Sequence, residues 1–138
     1  MSAPYRDQHA ACPACQSPLR ALGTRLCCDG CSGIFLERAD LARSIGELTQ
    51  DEPTLEFVDD RAGERACPRC AAMMVACALL VQVAGKRARL TSPLDRCDRH
   101  GVWFDTLELA RSFEAIHALV TREGFGRGKR LRFDRGRF

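Results

Sequence analysis

Nine cysteines in 138 residues are the side chains best equipped to do chemistry here. Seven of them, with one histidine, fall into four pairs at ligand spacing: Cys12/Cys15, Cys28/Cys31, Cys67/Cys70 and Cys97/His100. Each pair is C-x-x-C or C-x-x-H, so one tight turn presents two donors to a common point. Zinc takes four thiolate or imidazole ligands in a tetrahedron, and two such turns joined by a hairpin supply that geometry with little backbone strain. The spacing therefore predicts two metal sets, Cys12, Cys15, Cys28 and Cys31 in one and Cys67, Cys70, Cys97 and His100 in the other. Four protein ligands leave no open position for water or substrate, which makes both sites structural rather than catalytic. Redox dithiols are the competing reading, but C-x-x-C redox motifs go with a βαβ pattern that this chain lacks. Cys27 adjoins Cys28 and offers an alternative C-x-x-x-C spacing; aligning Arg96-Cys97 with Cys27-Cys28 selects Cys28. Cys77 lies in an apolar stretch and reads as a small core residue, while His9 and His117 read as non-ligating.

The elements that must position these pairs follow from an internal repeat. Gly33 to Ile45, G-I-F-L-E-R-A-D-L-A-R-S-I, aligns without gaps at an offset of 68 with Gly101 to Phe113, G-V-W-F-D-T-L-E-L-A-R-S-F. Each copy carries one pair at its start and a second just before the shared glycine, so the chain reads as a tandem duplication. Between its pairs each copy should form a β-hairpin. In copy two, Met73 to Val83 is the apolar strand, Gly85-Lys86 the turn signal and Arg87 to Leu94 the return strand. Copy one has twelve residues between its pairs, so its hairpin is short. A helix follows each shared glycine. Asp105-Thr-Leu-Glu108 reads as a capping box, and Leu109, Phe113, Ile116 and Val120 form one apolar stripe. Copy one has a shorter helix, from Glu37 to about Leu48. The expected organisation is an N-terminal tail (1–11), a first ribbon and helix (12–50), an acidic linker with a short strand at Leu55–Val58 (51–66), a second ribbon and helix (67–123) and a basic tail (124–138).

C-P-x-C, a hairpin, then C-x-x-C or C-x-x-H followed by G-V-W-F-D-x-x-E-L resembles the TFIIB-type zinc finger, a zinc-ribbon family. The resemblance covers about residues 12–48 and 67–113 and is clearest in H-G-V-W-F-D-T-L-E-L. It implies a small α+β protein of two tandem zinc ribbons, each followed by a helix, with the eight residues above as ligands of two zinc ions. Copy one departs from the pattern at Phe35, where the family usually has tryptophan, and copy two in the length of its hairpin. Shared ribbon geometry does not by itself carry a transcription factor's function.

The formal net charge is +3. Residues 122–138 nevertheless hold seven Lys or Arg against two acids, so the basic character is all in the tail. There Arg127, Lys129, Arg130, Arg132, Arg135 and Arg137 alternate with glycines and with Phe125, Phe133 and Phe138. Such a composition suits phosphate contacts and base stacking on RNA or DNA; docking on the acidic body and a protein partner are the rivals. Residues 1–11 lack an apolar signal-peptide core, and the longest apolar run is too short to span a membrane. Reduced thiols in the cytoplasm are accordingly expected. No Ser/His/Asp set, phosphate loop or paired carboxylates are visible, so the expected function is a non-enzymatic zinc-binding adaptor. A thiol-based redox or zinc-responsive sensor, with Cys27 as its reactive group, is the second reading.

Overall fold

The computed structural model describes residues 11–125. The expectations for the basic tail, Arg127 to Arg137 included, lie outside the described residues. In chain order the elements are β1 (Leu19–Leu22), β2 (Arg25–Cys28), β3 (Ile34–Leu36), α1 (Arg38–Thr49), β4 (Thr54–Ala66), β5 (Met73–Val83), β6 (Lys86–Cys97), β7 (Gly101–Phe104) and α2 (Glu108–Phe125). All seven strands join one antiparallel sheet in the order β1-β2-β3-β7-β6-β5-β4. The class is α+β.

The repeat explains this order. β1, β2 and β3 of copy one correspond to β5, β6 and β7 of copy two, and the halves meet where β3 pairs with β7. The register there sets Ile34 opposite Phe104, Phe35 opposite Trp103 and Leu36 opposite Val102. Phe35 and Trp103 are equivalent residues of the repeat, so a local two-fold axis passes between them. Two three-stranded units that each end in a bare strand edge thus cover that edge with one another.

Strand alternation divides the apolar residues between two faces. On one face Leu36, Val102 and Phe104, with Leu79, Val81 and Leu94, pack against Leu41 and Ile45 of α1 and Ile116 of α2. Leu109, Phe113 and Val120 flank that core, as the helical stripe requires. On the other face Phe35, Trp103, Leu26 and Met74 gather with the ligand cysteines.

α1 is held to the sheet by an ion pair as well as by apolar contact. The Asp40 carboxylate, 2% exposed, accepts from Arg25 at 2.8 and 3.1 Å and from Arg43 at 2.7 Å. The Arg25 guanidinium holds the Asp40 carboxyl below its usual range, against the opposing effect of burial.

Two expectations need correction. Residues 51–66 are not a linker with a four-residue strand, because thirteen of them form β4, the outer strand beside β5. Pro53 falls just before the strand and the strand's acids are exposed, while Leu55 and Phe57 pack on the core. Gly63 marks a close backbone approach, since a Cβ there would overlap the Met74 carbonyl. The turn of the long hairpin also sits one residue earlier than Gly85-Lys86. Ala84 (φ 54°) and Gly85 (φ 75°) are its central residues, a left-handed pair that matches the twist of a two-residue hairpin.

Candidate metal centres

The first turn of each copy is built the same way. The Gln16 amide donates to the Cys12 carbonyl at 2.9 Å and the Cys12 amide to the Ser17 carbonyl at 2.8 Å. In copy two the Ala71 amide donates to the Cys67 carbonyl at 2.8 Å and the Cys67 amide to the Ala72 carbonyl at 2.7 Å. Gln16 and Ala71 close these turns in the left-handed region, at φ 69° and 66°. The closed loop turns backbone N–H groups toward the first sulfur. Ala14 and Cys15 donate to Cys12 Sγ at 3.3 Å, and Arg69 to Cys67 Sγ at 3.4 Å. In the second turn of copy one the Cys31 amide donates to Cys28 Sγ at 3.4 Å.

These turns bring all eight sequence-selected residues into two groups. The donor atoms of Cys12, Cys15, Cys28 and Cys31 lie within 4.8 Å of one another, as do those of Cys67, Cys70, Cys97 and His100. For Zn–S bonds of about 2.3 Å a tetrahedron has S···S edges of about 3.8 Å, and S···N edges of about 3.6 Å when Zn–N is near 2.05 Å. The Sγ atoms of Cys12 and Cys31 are 3.6 Å apart, those of Cys15 and Cys28 3.5 Å, and those of Cys70 and Cys97 3.8 Å. His100 Nδ1 is 3.5 Å from Cys97 Sγ and 3.9 Å from Cys67 Sγ. The donor set and its edges fit a tetrahedral thiophilic cation in both places.

The electrostatics of the thiols point the same way. Burial pushes the Cys12 and Cys67 thiols up to about 12, so neither would carry a thiolate there without a cation. Burial likewise raises Cys31. At the rim, the Ser17 hydroxyl, 3.3 Å away, lowers the exposed Cys15 to about 6, and the Ala72 amide lowers Cys70. Each group thus combines buried thiols that need a positive charge with a rim thiol already disposed to ionise.

Cys27 falls outside both groups. It lies between Leu26 and Cys28 on β2, both of which face the metal side, so its own side chain projects from the opposite face. It pairs with Ile34, which packs on the helix-side core. Cys77 is 2% exposed in that same core, where burial raises its thiol.

Sequence reasoning missed the brace around Trp103. Its ring covers Gly33 of the other copy, where a Cβ would overlap it. Its Nε1–H donates to Asp105 Oδ1 at 2.9 Å, and Arg65 of β4 donates to both Asp105 oxygens at 2.8 Å. The Asp105 carboxylate is therefore not the helix cap that the capping-box spacing implies. Only the reciprocal half of that box is made, with the Asp105 amide donating to Glu108 Oε1 at 3.1 Å. The Thr106 hydroxyl donates instead to the Cys31 carbonyl, tying the start of copy two's helix to the first metal group.

No family model, curated protein or solved structure matches the chain.

Proposed function

We propose that the chain is a non-enzymatic adaptor built on two structural zinc ions, one held by Cys12, Cys15, Cys28 and Cys31 and the other by Cys67, Cys70, Cys97 and His100. The observation that carries this reading is the duplicated closed donor set with tetrahedral edges. Four protein donors saturate zinc, so the metal's part is to tie turn to turn, not to activate water. The two tandem units then read as zinc ribbons of the TFIIB type fused through β3 and β7. Native mass spectrometry of protein purified without chelator tests it: two zinc ions per chain are expected, and one or none overturns it. The position of Cys27, facing away from the first metal group, weighs against the sensor reading. Mild peroxide should therefore release zinc at the same rate from the wild type and from Cys27→Ser, whereas release that depends on Cys27 would favour a sensor.

A further inference from the structure

The duplication supplies an internal control for which residues the metal turns themselves require. Cys12-Pro13-Ala14-Cys15 corresponds to Cys67-Pro68-Arg69-Cys70, and Cys28-Asp29-Gly30-Cys31 to Cys97-Asp98-Arg99-His100. At the start of the helices Thr106 corresponds to Arg38. Copy one builds its metal turns with Ala14 and Gly30, and Thr106 lies against them through the Cys31 carbonyl. The matching end of the molecule carries Arg69, Arg99 and Arg38 in those three places. None of the three is needed to form a turn, and together they change that end by three positive charges.

All three line one cleft of about 260 Å³ beside Cys97 and His100. A fourth arginine, Arg96, also lines it but is committed to Asp60 at 2.6 and 2.9 Å and to Asp98 at 2.7 Å. Among the described residues, Arg38, Arg69 and Arg99 have no carboxylate partner. Two of them are positioned by carbonyls alone, Arg38 by Leu55 at 3.2 Å and Arg69 by Thr24 at 3.2 Å. Each bond uses one of a guanidinium's five N–H donors and leaves the others for a ligand. The Arg38 guanidinium also sits 5.0 Å from the centre of the Phe57 ring, which fixes it at the cleft wall. Three guanidinium forks around one concavity, those of Arg38 and Arg69 partly fixed, favour tetrahedral oxyanions that accept several hydrogen bonds at once.

We propose that this cleft binds the phosphodiester backbone of a single-stranded nucleic acid through Arg38, Arg69 and Arg99. A polynucleotide is favoured over a small phosphate or a phosphopeptide because the same chain carries the interleaved arginine and phenylalanine segment at 124–138, which matches the repeated phosphates and bases of a strand. The proposal rests on the adaptor reading and names its partner.

The test uses full-length protein and fluorescein-labelled oligo(U) and oligo(dT), followed by anisotropy from low to physiological salt. The variant Arg38→Thr/Arg69→Ala/Arg99→Gly installs the residues found at the equivalent places around the first metal group, Thr106, Ala14 and Gly30, so zinc content is expected to stay at that of the wild type in native mass spectrometry. Its affinity should fall about tenfold or more, and its log–log salt slope should shrink by roughly 2, at about 0.7 for each phosphate that is no longer neutralised. If the triple variant loses zinc, Arg99→Gly alone decides: its slope should fall by about 0.7 with the metal retained. No binding by the wild type, unchanged affinity and slope in the variants, or tighter binding of a phosphoserine peptide than of the oligonucleotides would each overturn the proposal. Failure here with two zinc ions present leaves the zinc-module reading standing, and wrong zinc stoichiometry removes that reading whatever the anisotropy shows.

Discussion

Phe35 and Trp103 are equivalent residues of the two copies and lie directly opposite each other across the β3–β7 pair, both fully buried. Residues of both metal groups, Cys12 and Cys28 from one and Cys67 from the other, belong to the same apolar cluster as this pair. Neither metal group has a core of its own. Replacing Trp103 with alanine should therefore cost about 3–5 kcal/mol in chemical denaturation, as for other large buried aromatics. It should also speed zinc loss to a chelator from both sites rather than from copy two alone. Loss confined to Cys67, Cys70, Cys97 and His100 would show that the sites do not share this support.

Trp103 is the only tryptophan, which makes it an intrinsic reporter. Because its ring lies on Gly33, beside the first metal turns, Cys15→Ser should shift its emission toward that of exposed indole although the two residues belong to different copies. Complete chelation should shift it further and broaden thermal unfolding, since structural zinc in small domains contributes roughly 10–16 kcal/mol of binding free energy to folding. An emission spectrum indifferent to the first site would contradict the packing described.

The adjacent cysteines of β2 should behave oppositely. Cys28→Ser removes a donor from the first group and should leave one zinc per chain, whereas Cys27→Ser should leave two, because Cys27 projects from the other face of the sheet. Native mass spectrometry of the two variants reads this directly.

How much of this was legible in the residues depends on whether the signal was local. The C-x-x-C spacings and the repeat of Gly33 and Gly101 located both donor sets, since each turn is built within six residues. The period of Leu109, Phe113, Ile116 and Val120 likewise located α2. The pairing of β3 with β7 was hidden because it joins residues 68 apart, and no local pattern encodes which edge a short strand will meet. The Asp105 carboxylate was misread for a related reason: a capping box is defined by neighbours in sequence, but Arg65, forty residues away on β4, takes both of its oxygens, and the Trp103 indole shares one of them. The arginine cleft had a signal, in Ala14 against Arg69 and Gly30 against Arg99, that only position-by-position comparison of the two copies exposes.

Asp40 gives a pH signature. Its folded-state carboxyl is held below the ordinary 3.8 by Arg25, so the pair's contribution is full above that value and is lost as pH falls through the lower folded value. Its arginine partners are 41% and 61% exposed and rehydrate when the pair is broken, which keeps the cost moderate. Asp40→Asn should cost about 1.5–3 kcal/mol near neutrality, the range for hydrogen bonds to a charged group. The difference from wild type should stay flat from pH 7 to pH 5 and shrink only below about pH 4, where Asp40 starts to protonate. A difference that fades between pH 7 and pH 5 would place the titrating group elsewhere.

Gly63 distinguishes a strand from a linker by the sign of one substitution. In a solvated linker, glycine to alanine narrows the unfolded ensemble and stabilises by about 0.4–1 kcal/mol when the backbone is compatible. In β4 the new Cβ would overlap the Met74 carbonyl of β5, a backbone atom that cannot turn aside as a flexible side chain would. The strand must then shift within the register irregularity Ala62/Ala66, where pairing with β5 is already interrupted. Gly63→Ala should accordingly destabilise by about 1–3 kcal/mol, the usual cost of forcing extra atoms into a packed site. The damage should reach Arg65, two residues on, whose guanidinium holds Asp105 and through it the Trp103 indole. Urea unfolding of Gly63→Ala followed by Trp103 fluorescence should therefore show both a lower midpoint and an altered native emission. A higher midpoint with native emission unchanged would return residues 54–66 to the status of a tether.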